Sequence, residues 1–155
     1  MMQKEPTPKT ADLDKRHRSL LVIWAAMLAS VGAYAAVAVL ARPGGGGTTG
    51  DAVGLALVGL GGACVLASFV VKQRLLSRAV AEQRPELVST AYVVGFALSE
   101  AAGLAGLVSA FVVGGGGFLY LLFVVSGVGL LLHFPRRDDL LAAAYEEGRT
   151  TITGS

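Results

Sequence analysis

The sequence predicts an all-α, polytopic membrane protein with four transmembrane helices arranged as two antiparallel hairpins. Three observations predict it. The 155 residues are 54% hydrophobic and only 15% charged, with mean hydropathy +0.63, whereas soluble domains carry about a quarter charged residues. The apolar residues fall into four long blocks. Those blocks do not alternate apolar and polar with period two, which argues against a β-barrel. With most of the chain crossing the bilayer, no room is left for a sizeable soluble domain.

Residues 1–18 are polar, hold two prolines and end in Lys15-Arg16-His17-Arg18. They read as a disordered basic arm stopped at the membrane face, able to touch anionic lipid. The first span is 19–41. Ala33-Tyr34-Ala35 resembles a small-residue cleavage site, but the span exceeds a usual signal-peptide core. Ala25, Ala29, Gly32 and Ala36 form a small-residue stripe that permits close helix approach in lipid. Residues 42–51 read as a glycine-rich linker. Gly44 to Gly47 is no phosphate loop, because no Gly-Lys-Ser/Thr follows.

The second span, 52–71, is dense in small residues, among them Gly59 and Gly62 as helix-packing positions, with a stripe through Ala52, Ala56, Gly59, Ala63 and Ala67. Helical spacing of Leu75, Leu76, Ala79 and Val80 extends it beyond the membrane. Pro85 disfavours helix at Arg84 and places a turn near 83–85. The third span, 87–113, has Gly95, Ser99, Gly103, Gly106 and Ala110 on one face. Gly114 to Gly117 then turn the chain into the fourth span, 118–134, which ends beside His133. The tail, 135–155, opens with a short helix capped by Asp138 or Asp139 and stopped by Gly148.

Charge sets the orientation. Lys and Arg number five before the first span, four between spans two and three, and three in the tail, against Arg42 alone in the two glycine loops. The positive-inside rule places both termini and the central loop in the cytoplasm, and a bacterial inner membrane is the expected location. Cys64 is the only cysteine, so no internal disulfide forms.

Glu100 is the one charge in 87–113, with thirteen residues on either side. A charged group at mid-membrane costs roughly 2.5–3.5 kcal/mol on insertion scales. Burial favours the neutral acid, which makes Glu100 a proton-binding candidate. Ser99 and Tyr92 are its nearest hydrogen-bond partners in sequence. A sodium site needs several oxygens, and only Ser99 adjoins Glu100. No second intramembrane acid or base, metal cluster or paired nucleophile accompanies it, so neither an enzyme nor a metal or cofactor site is expected, and no folded basic domain points to nucleic acid. The competing reading makes the chain a structural or accessory four-helix protein, with Glu100 protonated and hydrogen-bonded between helices.

Spans two and three carry a recognisable wording. A glycine-rich helix leads to Glu82-Gln83-Arg84-Pro85-Glu86. Then comes Gly95-Phe96-Ala97-Leu98-Ser99-Glu100-Ala101-Ala102-Gly103-Leu104, followed by Gly106-Leu107-Val108. This hairpin resembles the c subunit, or proteolipid, of rotary ATP synthases. The resemblance covers roughly residues 52–113. It implies that Glu100 is the proton-carrying carboxylate, that Arg84 and Pro85 belong to a cytoplasmic loop contacting a partner, and that the chain works as a homo-oligomer or subunit of a larger membrane complex. The extra helix on each side, the acid in the third of four spans, the order Gln-Arg-Pro, and a Pro85–Glu100 distance about one turn short all depart from the family pattern.

Overall fold

The computed structural model describes residues 8–41, 50–112 and 117–144. Within them the chain forms five helices: α1 (Pro8–Leu40), α2 (Gly50–Ala81), α3 (Pro85–Val112), α4 (Gly117–Leu132) and α5 (Arg137–Ala144). Three stretches, Asp12–Leu40, Ala52–Ala81 and Pro85–Val112, are long and apolar enough to cross a membrane, and Tyr120–Leu132 is a shorter apolar helix.

The helix ends follow from local chemistry. At the end of α2, Arg84 N–H donates to the Ala79 carbonyl at 2.9 Å and Gln83 N–H to the Val80 carbonyl at 3.3 Å. This pairing is a Schellman motif, with Gln83 in the left-handed position that glycine usually fills (φ 52°). Pro85 then takes the first helical position of α3, where its missing N–H costs nothing. Glu86 follows in the first turn, facing the positive end of the helix dipole.

Two expectations are corrected here. The arm before the first span is helical from Pro8 onward, not disordered. It is tied down: Leu13 and Leu20 are buried, and Asp14 pairs with Arg137 of α5 at 2.7 Å. Tertiary contact thus overrides the polar composition. The tail helix starts at Arg137, so Asp138 and Asp139 lie within its first turn rather than capping it. Residues 1–7, the linker 42–49, the turn 113–116 and the tail 145–155 lie outside the described residues.

α3 is the central helix. It packs on α1, α2, α4 and α5, while among the described residues no contact joins α1 to α2. α4 runs antiparallel along it. An added Cβ at Gly106 would meet Leu122 and Phe123, at Gly103 Ser126, and at Gly95 His133; one at Gly129 would meet Ser99. α1 runs parallel to α3, its Ser30 facing Glu100 and its Ala38 packing with Ala110.

Candidate functional site: a carboxyl between two hydroxyls

Glu100 projects from the middle of α3 toward α1. Ser30 and Tyr34 of α1 are four residues apart and so share one face of that helix. Both reach the same carboxyl oxygen. Ser30 Oγ lies 2.5 Å from Glu100 Oε1, and Tyr34 donates its hydroxyl proton to Oε1 at 2.9 Å. Ser30 Oγ is also 2.7 Å from the Met27 carbonyl of its own helix. Ser30 has one hydrogen for two acceptors. A three-centre bond meets this geometry, as does a proton on the carboxyl; the second gives every acceptor a donor of its own. The carboxyl is half-buried.

Neither sequence-predicted partner serves Glu100. Tyr92 lies two turns toward the N-terminus of α3, and its hydroxyl donates to the Asp139 carboxylate while accepting from Arg136 N–H at 3.0 Å. The Lys72 ammonium sits 4.1 Å above the Tyr92 ring. Ser99 points away from Glu100 toward α2, 3.5 Å from Ser68 Oγ. A helix rotates about 100° per residue, so sequence neighbours do not share a face. Ser30 and Tyr34 escaped the sequence reading because their pairing with α3 spans some seventy positions of chain. The available signal was two hydroxyls one turn apart within an otherwise apolar span.

The packing glycines divide. Gly95, Gly103 and Gly106 are buried against α4, where an added Cβ would come within 2.7 to 3.2 Å of a neighbour. Gly59 and Gly62 have nothing within 4 Å of an added Cβ. Gly61 of α2 is turned inward instead, and its Cβ would meet Leu122 at 2.6 Å. The stripes through Ala25 and Ala36 on α1 and through Ala52 and Ala67 on α2 are likewise exposed. Arg84 and Pro85 sit at the α2–α3 turn, with Arg84 Nη1 3.8 Å from Glu82, a surface pair worth little in stability.

A second polar cluster lies between α2, α3 and α4. His133 is fully buried. Its Nδ1 is 2.7 Å from the Gly129 carbonyl and its Nε2 3.3 Å from Ser68 Oγ. Phe69 tilts against the ring at 4.4 Å. Among the described residues no group of three or more His, Cys, Asp or Glu side chains gathers to hold a metal ion. No protein-family model, curated protein or solved structure matches the chain.

Proposed function

We propose that the chain is a four-span integral membrane protein, both termini cytoplasmic, that binds and releases a proton at Glu100 as one subunit of a homo-oligomer or larger membrane assembly. The observation that carries this reading is the pair of hydroxyls from α1 converging on one carboxyl oxygen at mid-helix. They hold the group in place in either charge state, and Tyr34 and Ser30 stabilise the anion when it forms. The resemblance of the central hairpin to the proteolipid agrees with a proton role. α1, which supplies both hydroxyls, sets the site apart from a free hairpin. α4 supports the fourth crossing by running antiparallel along α3, although its 16 residues span only about 24 Å. The outward small-residue stripes of α1 and α2 suit contact with further helices.

The structural reading keeps one observation in its favour: the same two bonds tie α1 to α3. The test is labelling of the reconstituted protein with a hydrophobic carbodiimide, which attacks protonated carboxyls. Labelling at Glu100 that rises as pH falls, together with proton flux lost in Glu100→Gln, supports proton handling. No labelling at any pH, with full cellular activity in Glu100→Gln, leaves the bonds as purely structural.

A further inference from the structure

His133 is a buried titratable group that the Glu100 site does not use. It lies on the opposite side of α3, against Gly95, whose missing side chain makes room for the ring: a Cβ there would stand 2.7 Å from Cδ2 and 3.1 Å from Nε2. The Gly129 carbonyl accepts from Nδ1–H at 2.7 Å, which fixes the tautomer and leaves Nε2 as the variable nitrogen. Nε2 faces Ser68 Oγ at 3.3 Å. Ser68, however, has its own hydroxyl proton directed to the Val65 carbonyl at 2.6 Å, and Ser99 donates to Ser68 Oγ at 3.5 Å. Two lone pairs therefore confront each other when Nε2 is bare. A buried acceptor without a donor is costly, and either of two events relieves it: Ser68 turns its proton from Val65 to Nε2, or Nε2 gains a proton and donates to Ser68.

We propose that His133 and Ser68 form a second proton-binding position, separate from Glu100, in the seam between α2, α3 and α4. In the protonated state Nδ1–H goes to Gly129, Nε2–H goes to Ser68, and Ser68 keeps its bond to Val65. One proton is taken up at Nε2 and the same proton leaves from it; no other bond changes. The groups around the ring are few. Burial opposes a positive charge on it most strongly, the Gly129 bond favours one, and Lys72 of α2 opposes one electrostatically. Asp139 and Arg136 stand beside Lys72 with opposite effects on it. From α3 come Ser99 and, with its hydroxyl engaged by Asp139, Tyr92. From α1, His17 approaches the Pro135 carbonyl, two residues beyond the ring. The position does not depend on a proton role for Glu100, and its readout is distinct.

The test is nitrogen NMR of the full chain in lipid bilayers, with labelled histidine in a His17→Gln background so that one ring reports. The expected result is Nδ1 protonated throughout and Nε2 passing from bare to protonated as pH falls from about 7 to about 4, below the ordinary histidine range because burial opposes the charge. Ser68→Ala, which removes the acceptor, moves that transition to lower pH; Lys72→Met, which removes the opposing cation, moves it to higher pH. An Nε2 that stays bare over the whole range in both the parent and Lys72→Met overturns the proposal, as does a transition unmoved by Ser68→Ala. Retention of the Gly129 bond in each variant, read from the Nδ1 shift, verifies that the fold is intact.

Discussion

At Glu100, hydrogen bonding and packing act on different observables. An interhelical hydrogen bond in a membrane contributes about 0.6 kcal/mol on average. Removing the Tyr34 hydroxyl by Tyr34→Phe should thus change stability little, yet it deprives the anion of a donor 2.9 Å away. We expect Tyr34→Phe to leave the unfolding midpoint in detergent nearly unchanged. Steric cost goes the other way. Gly95→Ala places a methyl 2.7 Å from a buried, fully packed ring, and overpacking of this kind costs typically 1–3 kcal/mol. Gly59→Ala meets nothing within 4 Å and gains helix propensity of about 0.8–1 kcal/mol. A denaturation series should find Gly95→Ala destabilised and Gly59→Ala equal to or above the parent; a cost at Gly59 would mean that another chain covers that face.

Among the elements, the α2–α3 turn is the clearest case of a strained position. Gln83 adopts φ 52° because the Schellman bonds from Gln83 and Arg84 require a left-handed residue there. A residue with a Cβ carries a penalty of roughly 1–2 kcal/mol in that region, part of which glycine returns as unfolded-state entropy. Gln83→Gly is expected to stabilise the protein by about 0.5–1 kcal/mol, read as a higher midpoint of thermal unfolding in lipid nanodiscs. This turn was legible in the sequence, since Pro85 forbids continuation through Arg84. The apolar blocks were legible for the same kind of reason: uninterrupted runs between glycine and charge clusters have one economical conformation in lipid. The helical start at Pro8 was not, because it rests on Leu13, Leu20 and the Asp14–Arg137 pair, contacts made across the length of the chain. Nor were the outward-facing stripes, since spacing shows that small residues share a face but not which neighbour that face meets.

For the molecule as a whole, the charge distribution and the packing order make separable demands. Twelve of the thirteen cations lie before residue 19, between residues 72 and 84, and after residue 135; in the four-span topology proposed above, the positive-inside rule would send these to one side. Asp14 with Arg137, Arg16 Nη2 4.0 Å from Glu86, and Tyr92 with Asp139 join α1, α3 and α5, as the proposed topology requires of elements that share one side. Cys64 sits within α2 and can be replaced by alanine to give a cysteine-free background. A membrane-impermeant maleimide applied to intact cells should then label Thr48→Cys, between α1 and α2 in sequence, and should label Gln83→Cys and Asp138→Cys only after the membrane is opened. Labelling of Asp138→Cys in intact cells would place the C-terminus outside. The Tyr92–Asp139 and Asp14–Arg137 contacts would then be incompatible with the bilayer, since both bring the region after α4 to the N-terminal ends of the first and third spans.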